Sequence, residues 1–431
     1  MNNFQTILTA VFLAFFVFAV LIFSGMLKIG NSSSKSAGSL KGKVVIWGTF
    51  ESPEITRVFE DATTANRELI VTYVRKQKAT YQQDLIEAMA VGKGPDLFFI
   101  TPDMVVKNEE LIYKIPYTSY PEKTFRDSFI DGADVYLTTD GIIGFPVVVD
   151  PLVMYYNKDL LANEGLSTPP TTWDEVMNWA PTLTKKKDDG TILQSMIALG
   201  QYQNVTNAKD IIATLLLQNN NSIIKRTETG YSSVLEGDTA STAERVLNFF
   251  VQFSNPSNPA YSWNRAIPNS VNMFTGGKLV FYLGHASELF KIQSVNPNLS
   301  FDVTSMPQAS NTSTKRTYSD IYAISVNKKS ANVTAAFGLA GLMSTGETAS
   351  NFASTVSLPP ASRALLASKP KDPYLFTFFN QAIISRTWLD PNSTVTDSIF
   401  SELVENVLSN RLSISDALAK AQGQLDIASK K

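Results

Sequence analysis

Two aspartates, a tryptophan and a single histidine are the first side chains in this sequence that could do chemistry. Asp150 interrupts an otherwise apolar run, Phe145 to Tyr156. An isolated ionised carboxylate buried there would cost several kcal/mol, so it needs a partner or access to water. Pro151 follows it, which leaves a structural cap as the other reading. Asp103 closes Ile100-Thr101-Pro102-Asp103 after an apolar strand. It is either a carboxylate in the first turn of a helix, where the dipole favours it, or a group aimed at a ligand. Trp47 ends the segment Lys43–Gly48 and either fills a core or offers a flat face for stacking.

The chain has one histidine, His285, and no cysteine. Most catalytic triads, zinc sites, thiolate nucleophiles and lipid-modified cysteines therefore cannot be assembled. A paired-carboxylate hydrolase is allowed by composition if Asp103 and Asp150 meet across a cleft. Nothing in their spacing supports it. Carboxylate acceptors beside aromatic faces suit reversible binding better than catalysis. No cofactor and no metal site is expected.

At 431 residues the chain exceeds what one hydrophobic core usually serves, so two lobes are expected. With 44% hydrophobic and 18% charged residues the composition is that of a globular protein, and a net charge of −2 leaves no basic footprint for nucleic acid. Strands are expected at Lys43–Gly48, Leu69–Val74 and Asp96–Ile100, with helices from Ser52 and over Tyr81–Val91 between them. That alternation implies a mostly parallel sheet covered by helices. Phe145–Tyr156 is β-branched and aromatic, as a strand buried on both faces is. Asn157 is placed to cap a short helix, Lys158 to Glu164, which Gly165 ends in a left-handed turn. Thr172, three residues before Glu175, opens a further helix with a capping box, and Val176, Trp179, Ala180 and Leu183 recur along it at helical spacing. Helices are also expected at Asn207–Gln218, Thr239–Phe253 and Asn332–Met343.

The stretch Tyr156-Asn157-Lys158-Asp159-Leu160, followed by Pro169-Pro170-Thr171-Thr172-Trp173-Asp174-Glu175, resembles the extracellular solute-binding proteins of ATP-driven importers, the family of the maltose-binding protein. Further likenesses are Gly94-Pro95-Asp96-Leu97, the segment Phe274–Gly284, the strand Tyr318–Val326, and the turn Leu358–Arg363 with one residue inserted. Near the C-terminus Asn410 stands where the family usually has glycine. The resemblance covers everything after residue 42. It implies a type II periplasmic-binding-protein-like α/β fold, with two interleaved lobes joined by crossing strands near Asp150, Ser319 and Arg363. The lobes would comprise 43–149 with 320–363, and 150–319 with 364–431. By position it puts Trp47, Thr49, Glu51, Asp103, Asp150, Gly284, His285, Asp320 and Trp388 on the cleft rim. Around Trp388 the position that matches best by spacing is Asp397, and Ala286 stands where relatives often carry an aromatic residue.

The implied protein is a monomer and not an enzyme. It captures a small solute, a sugar or oligosaccharide, and delivers it to permease subunits. A sensor that hands its ligand's signal to a membrane receptor, or a binder of a non-sugar solute, is the alternative.

Ile7–Leu27 is 21 residues without a charge, long enough to cross a bilayer as a helix. No charged side chain precedes the run and no small-x-small cleavage site closely follows it, so residues 1–30 are expected to form an uncleaved membrane anchor. Residues 31–42, rich in Ser and Gly, then form a tether. Lys28, Lys35, Lys41 and Lys43 follow the run, which by the positive-inside rule would keep the rest of the chain in the cytoplasm. That rule weakens for a long translocated domain, and the resemblance decides for the outside. Protease added to intact spheroplasts should digest the domain, and alkaline extraction should leave undigested protein in the membrane. Full protection from protease would reverse the orientation.

Overall fold

The computed structural model describes residues 40–430 apart from 52, 65–67, 229, 238–240, 311 and 313. The expected anchor, most of the expected tether and the expected cap at Ser52 lie outside the described residues. Among the described residues no helix is long and apolar enough to cross a membrane.

The strands, in chain order, are β1 (Gly42–Gly48), β2 (Leu69–Arg75), β3 (Leu97–Ile100), β4 (Phe145–Asn157), β5 (Lys185–Lys186), β6 (Ile192–Ile197), β7 (Ile224–Thr227), β8 (Gly230–Ser233), β9 (Leu279–His285), β10 (Phe301–Thr304), β11 (Thr317–Val326) and β12 (Ser385–Arg386). The main sheet runs β2-β1-β3-β11-β4-β9-β6-β5, with β10 on β4 and β12 on β11, and β7–β8 is a separate hairpin. β1, β2 and β3 are mutually parallel, while β4 and β11 run antiparallel to each other.

The two long strands organise this sheet because each changes neighbours partway along. β4 pairs with β11 through Phe145–Pro151, and then with β9 and β10 through Leu152–Asn157. β11 pairs with β12 through Thr317 and Tyr318, and with β3 through Ala323–Val326. One half of the sheet therefore gathers β1–β3 and the other gathers β5, β6, β9 and β10. This is a two-lobed α/β fold. At the changeover, Asp150 and Asp320 stand directly opposite each other.

β4 is buried from Phe145 to Tyr155, which explains its unbroken apolar sequence apart from Asp150. After it the chain folds as its local signals dictate. Leu160 N–H donates to the Asn157 side chain at 3.0 Å, and Gly165 has φ 73°. Helix Trp173–Leu183 opens with a complete Thr172–Glu175 capping box. Trp173, Val176, Ala180 and Leu183 are its buried face, and the expected Trp179 is half-buried beside them. Asn410, at φ 53°, adopts the left-handed turn that a glycine would occupy. Elsewhere boundaries shift. Phe274 and Thr275 end helix Ser270–Thr275 rather than opening β9, and Lys158–Ala162 is shorter than expected.

Candidate ligand-binding cleft

A cavity of about 790 Å³ lies at the changeover, where the loops that follow the strands face one another. One wall comes from Thr49 after β1, from Tyr81 and Gln82 at the start of helix Tyr81–Ala90, and from Thr101 and Asp103 after β3. The opposite wall comes from the loop 202–207, from Lys209 and Asp210 at the start of helix Ala208–Gln218, and from Asp390 with the first turn of helix Ser393–Leu408. Tyr318, Asp320 and Tyr322 of β11 line it between the walls, their alternate spacing putting all three on one face.

Carboxylates dominate the charge. Asp103, in the first turn of helix Pro102–Asn108, accepts from the Thr101 hydroxyl and lines the cleft. Burial raises its pKa, and the charge of Asp320 raises it further. Asp320 accepts from Tyr318 Oη at 2.9 Å. Burial raises its pKa as well, against the lowering pull of His285. Lys209 is the wall's buried cation. Its Nζ donates to Asp390 Oδ2 at 2.8 Å, to Ser393 Oγ at 3.1 Å and to Thr396 Oγ1 at 3.1 Å. Burial pulls the ammonium pKa down, but Asp390 and Asp210 outweigh it and the net shift is upward. Tyr202 Oη donates to Asp397 Oδ1 at 2.7 Å, which ties the 202–207 loop to helix Ser393–Leu408 as well. Among the described residues no group of three or more His, Cys, Asp or Glu side chains is arranged to hold a metal ion.

Of the residues that the sequence points to, Thr49, Asp103 and Asp320 come together on the cleft surface. The others lie elsewhere. Trp47 is half-buried at the end of β1 with the Lys76 ammonium 3.6 Å from its ring centre. Glu51 is exposed and paired with Arg75. Trp388 is buried against Phe400, ring centres 6.1 Å apart. Asp150 and His285 are buried behind the wall, where Ser287 N–H donates to Asp150 Oδ1 at 2.9 Å. Gly284 is buried in β9, where a Cβ would come within 2.5 Å of the Tyr282 ring. The aromatic rings that line the cleft are those of Tyr81, Phe99, Tyr202, Tyr318 and Tyr322, with no tryptophan among them. Sequence reasoning missed Tyr202, Lys209, Asp210 and Asp390. The Asn207–Gln218 helix signal could have pointed to Lys209 and Asp210, since its first turn follows a loop. Asp397, matched by spacing alone, is on the cleft wall.

The profile of the family described as bacterial extracellular solute-binding protein matches residues 57–377. The chain is 26% identical over 166 residues to the galactooligosaccharide-binding protein of Bacillus subtilis, a match covering 37% of this chain and 36% of that one. It is 29% identical over 150 residues to the maltodextrin-binding protein of the same organism, covering 34% and 33%. These matches therefore span about a third of each relative's own length. The crystal structure of a cyclo/maltodextrin-binding protein complexed with maltotetraose superposes with a TM-score of 0.72 at 16% identity, covering 89% of this chain and 96% of that one. The cyclic alpha-maltosyl-1,6-maltose binding protein of Arthrobacter globiformis gives 0.72 at 17% identity, covering 90% and 99%. At these identities the two structures show the fold alone.

The Lys209–Asp390 pair gives a stability test, because its side chains retain only 11% and 5% of their exposure. Removing one partner of a buried pair leaves an uncompensated charge at a cost of about 3–5 kcal/mol. Lys209→Met should lower the free energy of denaturant unfolding by about that amount. Adding Asp390→Asn should restore most of the loss. Equal stabilities for the parent and Lys209→Met would show that the pair does not hold this wall.

Proposed function

Since the chain belongs to the bacterial extracellular solute-binding proteins, we propose that its cleft captures a neutral carbohydrate, an oligosaccharide, and releases it unaltered to an ATP-driven permease. The observation that carries this reading is the meeting of tyrosine faces and carboxylate acceptors in one cavity at the crossing strands. Sugars present apolar ring faces rimmed by hydroxyls. Tyr202 and Tyr322 offer surfaces for the faces, while Asp103, Asp320 and Thr49 offer acceptors for the hydroxyls. The volume of about 790 Å³ falls in the range of small-molecule sites. The names of relatives point the same way, since they are binding proteins for galactooligosaccharides and maltodextrins.

The lobes in this reading are 43–149 with 320–363, and 150–319 with 364–431, so that each wall of the cleft belongs to one lobe. The domain stands outside the cell membrane, held there by the uncharged run Ile7–Leu27.

Calorimetric titration against mono- and oligosaccharides, maltotriose and a galactotriose included, tests the ligand class. At least one oligosaccharide should bind and be recovered intact. A hydrogen bond to a charged acceptor is worth roughly 1.5–3 kcal/mol, so Asp320→Ala should weaken that binding about tenfold or more. The loss of affinity should exceed any loss of unliganded stability. Binding of an amine, a peptide or a metal ion with no response to any sugar would remove the carbohydrate assignment.

A further inference from the structure

His285 is the chain's single histidine, and its ring lies behind the cleft wall at the last position of β9. It is in contact with acceptors on both sides. Nδ1 is 3.0 Å from the backbone oxygen of Asp150 on β4, and Nε2 is 3.1 Å from Asp210 Oδ2 on helix Ala208–Gln218. A neutral imidazole carries one N–H. It could donate to one of these oxygens only, and would turn a lone pair on the other. Two acceptors call for two donors, which is the imidazolium. The alternative of placing the second proton on Asp210 runs against the ordinary order of basicity, since an imidazole holds a proton more tightly than a carboxylate does.

The surroundings favour the cation from every side. The Asp150 carboxylate lies 4.0 Å from Nδ1, and Asp320 of β11 adds a third negative charge. Glu288, in the turn after β9, accepts from the His285 backbone N–H at 3.0 Å. The Tyr318 ring meets the imidazole edge-on at 6.1 Å, and Tyr155 Oη donates to the His285 backbone oxygen at 2.7 Å. Lys209, next to Asp210, is the nearby positive charge, and it is engaged by Asp390. Burial alone would drive the proton off. The carboxylates of Asp210 and Asp150 outweigh it, and the pKa lies well above the ordinary histidine value.

We propose that His285 is a positioning residue, a doubly protonated clamp that ties the crossing strand β4 to Asp210 and holds that carboxylate in the cleft wall. It touches no solute itself. The proposal rests on the reading of the cleft as the solute site, because only there does the position of Asp210 matter to binding. Since the proton stabilises the folded chain, its contribution is complete below the unfolded histidine pKa of about 6.5 and is lost as pH rises through the raised folded value. Solute affinity should follow the same direction.

A single histidine makes the charge directly observable in the full chain labelled with nitrogen-15. The long-range proton–nitrogen spectrum should show both ring nitrogens protonated, with no titration step between pH 5 and 8. In Asp210→Asn the midpoint should fall by at least one unit. An imidazole with one proton and a midpoint near 6.5 in the parent chain, or a midpoint that ignores Asp210→Asn, would overturn the proposal. With maltotriose as probe, His285→Gln should bind at least tenfold more weakly than the parent at pH 6, and the gap should narrow as the parent loses its proton at alkaline pH. Equal affinity in a folded His285→Gln would also overturn it. If His285→Gln does not fold, the spectra of the parent and Asp210→Asn decide. If maltotriose binds neither chain, the carbohydrate reading loses support while the spectra still decide the clamp.

Discussion

Two carboxylates face each other where the two long strands cross. Asp150 and Asp320 are direct partners in an antiparallel register, an arrangement that is unfavourable for like charges unless something intervenes. The surrounding chain supplies what is needed from several elements. Ser287 N–H donates to Asp150, Tyr318 Oη donates to Asp320, and the His285 cation acts on both. The Ser287 and His285 contacts tie the end of β9 to β4 at the changeover, where β4 pairs with β11 along the backbone. Because the groups are polar and satisfied, the junction can lie beside a wet cleft without separating. An all-apolar junction would give the cleft no charged floor.

The two walls are held differently. Lys209, Tyr202 and their partners Asp390, Thr396 and Asp397 fasten the loop 202–207 and helix Ala208–Gln218 to helix Ser393–Leu408 through partly buried, charge-assisted hydrogen bonds. The other wall stands on aromatic packing. Phe50 meets Phe99 edge-on at 5.1 Å and Tyr322 at 5.0 Å, and Phe99 stacks on Phe352 at 5.5 Å. Tyr322 thus belongs to the packing of one wall while its strand, β11, passes on to the other half of the sheet.

The fold was legible because its strongest signals are local. The apolar run of β4, the Asn157 cap, Gly165 and the Thr172–Glu175 box each specify their own backbone within a few residues. The site was only partly legible, because a cleft is assembled from segments far apart in the chain. Asp103 could be placed because it follows a recognisable strand, and Asp320 because it lies within one. Lys209 and Asp390, 181 residues apart, carry no local sign that they meet. Asp150 was recognised as a carboxylate needing a partner, but periodicity could not say that the partner was a backbone N–H two residues beyond His285. The tryptophans misdirect for a related reason. Trp388 has the size to fill a core and is buried against Phe400, while most of the cleft's aromatic surface comes from tyrosines, whose hydroxyls tolerate water.

In the proposed function one solute is held between two walls that move together around the crossing strands. The absence of cysteine makes this measurable, because two introduced cysteines are the only thiols available for labelling. Gln83 and Ser398 are exposed positions on the helices that start at opposite walls. Spin labels at these two sites should give a distance distribution that moves to shorter values and narrows when a bound oligosaccharide saturates the cleft. A distribution that stays unchanged while calorimetry shows full occupancy would contradict the account.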